Sequence, residues 1–196
     1  MIWNWYLVPL VLLLSCLTSF SWAMRKFFSK PSGDNSGMKV IRATSASFAV
    51  IHIAAILLTP DVSARQCLTA STLYLAALGL FFWSIRVNWQ SSLSAAFSPD
   101  CPRHLVNRGP YHWVRHPFYC AYLLTWLAGF VATGRWWLLP TIAVMAAVYL
   151  EAARREEEKF AGSQLAQAYR EYKQSTGRFL PKPGSWIPRP KMGLRG

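Results

Sequence analysis

Residues 109–119 read Gly-Pro-Tyr-His-Trp-Val-Arg-His-Pro-Phe-Tyr. Two phenols (Tyr111, Tyr119), one guanidinium (Arg115) and two imidazoles (His112, His116) fall within one short connection between apolar segments. Arg115 and His116 offer donors to an anionic group. A helix starting at Pro117 adds its backbone N–H groups and the positive end of its dipole. Tyr111 and Tyr119 offer ring faces to a planar heterocycle. A second ionisable cluster, Arg154-Arg155-Glu156-Glu157-Glu158, closes the last long apolar segment. Its carboxylates can accept from ribose hydroxyls or balance a cationic centre. Ionisable clusters at the edges of apolar segments mark sites by default. The plainer account of the first is a basic loop at a membrane surface.

These clusters need a scaffold, and composition says which kind. The chain has 196 residues, of which 53% are hydrophobic, with ten Trp and eight acidic residues. That is too apolar and too aromatic for an ordinary soluble domain. The net charge of +13 fits nucleic acid or an anionic membrane surface. The charges are gathered between and after the apolar runs, as membrane topology requires, so the membrane is the expected partner and nucleic acid is not. Cys16, Cys67, Cys101 and Cys120 form no C-x-x-C pair, and neither a disulfide framework nor a metal site is indicated.

The expected fold is an all-α integral membrane bundle of about five transmembrane helices plus a cytoplasmic C-terminal helix. The first run, residues 2–24, carries no charge and no basic stretch precedes it, which favours a spanning helix over a signal peptide. Residues 25–42 read as a basic, turn-rich connection. The second run covers 43–59, with His52 in its middle, and the third covers 67–85. A lone intramembrane His is most often bonded to a neighbouring helix. Residues 118–133 and 136–153 are the fourth and fifth runs. Only Gly134-Arg135 joins them, so they form an antiparallel hairpin. Residues 156–172 read as one helix outside the membrane, stopped at Gly177, and four prolines from Pro181 onward make an extended tail. Three parts follow: spans one to three with their basic loop (1–90), a cofactor-binding half (91–181) and a Pro-rich tail (182–196).

Basic residues orient the bundle. Only Arg65 and Arg135 of the 21 fall on one side. The rest lie in the first and third connections and after the last span, which places the N-terminus outside and the C-terminus in the cytoplasm. Both ionisable clusters are then cytoplasmic, where nucleotide-derived cofactors occur. A ligand with a carboxylate, an adenosine and a positive charge would match them, and S-adenosylmethionine has all three. A nicotinamide dinucleotide matches in part, although no G-x-G-x-x-G unit is present.

Gly109-Pro110-Tyr111, then Arg115-His116-Pro117-Phe118-Tyr119, a helical hairpin, the Glu run and Tyr169-Arg170-Glu171-Tyr172 resemble the isoprenylcysteine carboxyl methyltransferase family. Phospholipid N-methyltransferases share the pattern more distantly. The resemblance covers residues 103–181. It implies a membrane enzyme that uses S-adenosylmethionine, with Arg103, His104, Leu105, Val106, Tyr111, Arg115, His116, Pro117, Phe118, Tyr119, Glu157 and Glu158 at the cofactor. It implies Glu157 and Arg154 at the chemistry. Two positions depart from the family: Ala121 stands where Gly is usual, and Ala153 where an Arg is usual, with Arg154 next to it.

The reaction expected is methyl transfer to a lipid-borne or hydrophobic acceptor, most like isoprenylcysteine carboxyl O-methylation. A carboxylate needs only a cation such as Arg154 to place it; an amine must first lose a proton. The alternatives are a phospholipid amine N-methyltransferase, an NADPH-dependent membrane reductase of the sterol reductase type, and a non-catalytic protein whose basic tail binds anionic lipid.

Overall fold

The structure is a computed structural model and describes residues 5–26, 36–89 and 104–183. The described chain is helical throughout: α1 (Leu7–Lys26), α2 (Ser36–Leu57), α3 (Ala64–Asn88), α4 (Pro117–Thr133), α5 (Leu139–Ala161) and α6 (Ala166–Ser175), with 3₁₀ turns at Gly109–His112 and Trp136–Leu138. It is the membrane bundle that the apolar runs imply. Leu7–Lys26, Gly37–Leu57, Ala64–Asn88 and Trp136–Ala161 are long and apolar enough to cross a membrane. The remaining expected span, Pro117–Thr133, is apolar but has only 17 residues. Large apolar side chains such as Val11, Leu68 and Leu75 face outward, as helices that cross a membrane require.

Local chemistry sets the ends of the helices. Ser63 caps α3 and exchanges hydrogen bonds with Gln66 in a capping box. Pro117 opens α4, where its missing N–H costs nothing. Gly134, at φ 63°, closes α4 and returns its N–H to the Phe130 carbonyl. That left-handed cap turns the chain into α5 within two residues, as the hairpin requires.

The helix boundaries differ from expectation in two places. α2 begins at Ser36, so Lys39 and Arg42 ride on a helix rather than in a connection. The helix expected over 156–172 is two pieces: α5 carries the Glu run as far as Ala161, and α6 starts at Ala166. The reason is a continuous buried face on α5 through Thr141, Met145, Tyr149, Ala152, Ala153 and Glu157. Packing along that stripe carries the helix past the membrane edge. Gly162 and Ser163 then break it, with the Ser163 hydroxyl donating to the Phe160 carbonyl at 2.9 Å and accepting from the Leu165 N–H at 3.1 Å.

α3 packs along α4 more extensively than any other pair of elements. Small buried residues make this possible: Ala70 and Ala77 on α3, and Ala121, Ala128 and Ala132 on α4. Trp126, Met145 and Tyr149 join α4 to α5. Phe160 stacks on Tyr169 with ring centroids 4.5 Å apart, which folds α6 back onto the end of α5.

Candidate active site

The hairpin brings the start of α4 and the end of α5 together at one end of the bundle. His116 is the residue just before α4, and Arg115 precedes it; both are buried. Glu157, one turn from the end of α5, is 5% exposed and stands between them. Its Oε1 accepts from Arg115 Nη2 at 2.9 Å, from Arg115 Nε at 3.2 Å and from Arg178 Nε at 2.8 Å. It also faces His116 Nε2 at 3.2 Å. Its Oε2 accepts from Arg178 Nη2 at 2.9 Å and lies 3.4 Å from Lys173 Nζ. A buried carboxylate survives only when paired and hydrogen-bonded, and these cations supply both conditions.

Arg115 is equally committed. Beyond its bonds to Glu157, it donates through Nη1 to the carbonyls of Lys173 (3.4 Å) and Thr176. The chain after α6 is pinned beside it. Val114 and Gly177 form a parallel bridge, the Arg115 N–H donates to the Gly177 carbonyl at 2.8 Å, and the His116 N–H donates to the Arg178 carbonyl at 3.2 Å. The Cys120 thiol donates to the Phe179 carbonyl at 3.2 Å. Phe179 thereby stands edge-on to His116 and Tyr119, with centroids 6.1 and 6.4 Å away.

Glu156 is the less encumbered carboxylate. It is 28% exposed, accepts from the Tyr119 hydroxyl at 2.7 Å and faces His116 Nδ1 at 3.2 Å. Both ring nitrogens of His116 therefore point at carboxylates. Burial opposes the imidazolium, but hydrogen bonds and charge from Glu156 and Glu157 outweigh it, and the His116 pKa lies above the ordinary value. Arg178 is held still more firmly protonated by its bonds to Glu157. Tyr119 stacks on His116 at 5.7 Å on one side and on Tyr149 at 5.3 Å on the other.

Of the residues singled out in the sequence, the fold gathers Arg115, His116, Pro117, Tyr119 and Glu157 at this place. Phe118 lies in the first turn of α4 and packs on Phe81. Tyr111 is joined to the site through its carbonyl, which accepts from the Tyr172 hydroxyl at 2.5 Å. Leu105 and Val106 are half-buried and His104 is exposed. Glu158 and Arg154 are exposed on α5. Arg103 lies outside the described residues. Arg178 was not among the expected residues. Its only sequence signal is a basic residue next to Gly177, just before Pro181, and other basic residues of the tail look alike.

The sequence model of a family described as "Phospholipid methyltransferase" matches residues 66–170, more than half of the chain. The match runs from α3 into α6 and takes in both ionisable clusters. No curated protein matches the chain.

Proposed function

The chain belongs to the phospholipid methyltransferase family, and on that premise we propose that it moves the methyl group of S-adenosylmethionine to an amine on a lipid headgroup. That family is in the same group of membrane methyltransferases as the isoprenylcysteine carboxyl methyltransferases, so the chain is a methyltransferase embedded in a membrane. The observation that carries the proposal is the cluster at the start of α4 and the end of α5. There an imidazole, a half-buried carboxylate and a tyrosine ring stand within contact of one another.

That donor set fits the cofactor. The first-turn amides of α4 would face its carboxylate and Glu156 its ribose hydroxyls or ammonium, with His116 and Tyr119 holding Glu156 in place. When bound, S-adenosylmethionine supplies an electrophilic methyl group on a sulfonium. Arg115 and Glu157, whose hydrogen bonds are already taken by protein groups, hold the other residues in place. Most of the protein's contribution is then orientation and exclusion of water.

An ammonium headgroup must lose a proton before its nitrogen can attack. Both ring nitrogens of His116 already face carboxylates, so it is a poor base, which leaves the Glu156 carboxylate for that task. A carboxylate acceptor would instead need a cation at the mouth of the site. The R-H-P-x-Y pattern keeps the prenylcysteine carboxylate as the second reading, with the exposed Arg154 as the cation that would place it. The active site is proposed to face the cytoplasm, with the N-terminus outside.

The test is methyl transfer from labelled S-adenosylmethionine in detergent-purified protein. The arms are an ethanolamine phospholipid, a prenylated cysteine and a buffer blank. Label on the phospholipid nitrogen is expected. Label on the prenylcysteine alone selects the carboxylate reading. Stabilisation by NADPH and not by S-adenosylhomocysteine, with no label in either arm, rejects methyl transfer.

A further inference from the structure

A second polar locus lies deep among the helices, away from both charged clusters. His52 of α2 and Tyr74 of α3 are fully buried. The Thr141 hydroxyl of α5 donates to the Leu138 carbonyl at 2.7 Å. Its single proton is committed there, so toward His52 Nε2, 2.9 Å away, its oxygen can only accept. His52 is therefore the Nε2–H tautomer, and its Nδ1 carries a lone pair. That Nδ1 meets no protein donor, and the Tyr74 hydroxyl meets no protein acceptor. Both atoms approach one point. A β-carbon placed on Gly129 of α4 would stand 2.3 Å from His52 Nδ1 and 3.3 Å from the Tyr74 hydroxyl oxygen. A stranded acceptor and a stranded donor thus line the same glycine cradle. Such groups are strongly unfavourable in an apolar bundle, where lipid offers no substitute partner.

We propose that His52, Tyr74 and Gly129 form a binding site for one water molecule, which accepts from the Tyr74 hydroxyl and donates to His52 Nδ1. The chemistry excludes most other occupants. A carbonyl or an anion would take the Tyr74 proton but would meet Nδ1 lone pair to lone pair. An ammonium would serve Nδ1 but could not accept from Tyr74. Only a group that does both satisfies the site, and burial on every side favours the smallest such group. The site lies about 20 Å along α4 from His116, at 1.5 Å per residue, so it takes no part in the chemistry there. It joins α2, α3, α4 and α5 at one place. α2 has the most need of it, since only 17% of its apolar window is buried inside the protein.

Thermal unfolding of the detergent-purified protein tests the site through Tyr74→Phe, His52→Leu and their combination. Each single change is expected to lower the midpoint by about 2–4 °C. The pair should lower it no further than the larger single change, because both remove the same bridge. A Gly129→Ala background, whose methyl would crowd Nδ1, should abolish the coupling. Additive losses in the parent overturn the proposal. A high-resolution map of the parent supplies the independent reading. Density bonded to both Nδ1 and the Tyr74 hydroxyl is expected, and a Tyr74 hydroxyl turned to another acceptor with no such density overturns it.

Discussion

Glu156 and Glu157 are neighbours in sequence with different surroundings, and substitution should separate them. Glu157→Gln leaves two guanidinium groups facing a neutral amide in a buried setting. Breaking such a pair costs about 3–5 kcal/mol, so a large fall in melting temperature is expected. Glu156→Gln disturbs a half-exposed carboxylate and should lower the melting temperature far less than Glu157→Gln while losing turnover. His116→Ala, which removes the group held between Glu156 and Glu157, should weaken S-adenosylhomocysteine binding roughly ten- to a hundredfold, measured by calorimetry in detergent. His116 also gives a pH signature. Its folded pKa is raised, so its contribution to stability is complete below the ordinary value of 6.5 and fades as the pH climbs through the folded value. Melting temperatures taken upward from pH 6.5 should fall in the parent and stay flatter in His116→Gln. A parent curve that rises over this window would contradict the arrangement of His116 between two carboxylates.

The elements were legible in the sequence to different depths. The apolar runs, the two-residue link and Pro117 were enough to pair His116 with the Glu run across the α4–α5 hairpin, because a helix that leaves a membrane face must return to it. Which glutamate faces which partner was not legible. Three consecutive Glu sit about 100° apart on a helix, and their roles are set by α4 and by the chain that returns after α6. Arg178 was missed for the same reason: its contact with Glu157 depends on the Val114–Gly177 bridge, which no local pattern announces. The break between α5 and α6 was missed because helical spacing continues across Gly162. The returning segment is testable at Gly177, where a β-carbon would lie 1.7 Å from the Leu180 carbonyl oxygen. Gly177→Ala should lift residues 176–180 from the site and lower both melting temperature and S-adenosylhomocysteine affinity. Unchanged values for both would show that the segment is dispensable. Topology is tested by labelling single cysteines at Arg65→Cys and Lys173→Cys with an impermeant thiol reagent in sealed vesicles. Opposite sidedness is expected, and labelling from one side rejects the orientation.

At the scale of the whole molecule, the proposed function requires a soluble cofactor and a lipid acceptor to meet at one end of the bundle. Acceptors without their acyl or prenyl tails should react poorly, since each CH₂ transferred to lipid is worth about 0.8 kcal/mol. Comparing kcat/KM for tailed and tailless headgroups measures this, and equal values would count against entry from the bilayer. The brevity of α4 sets the depth of that meeting. Its 17 residues span only about 25 Å, less than the roughly 30 Å of a hydrocarbon core that the longer helices can bridge. A helix with such a mismatch thins the bilayer around it or draws its polar end inward. His116 is the N-cap of that short helix and Arg115 precedes it, so in such a bilayer the charged cluster would sit at the level of the phosphate and glycerol groups. A lipid diffusing sideways would then bring its headgroup to the reacting atoms with its tails still in the membrane, and no step of extraction would be needed.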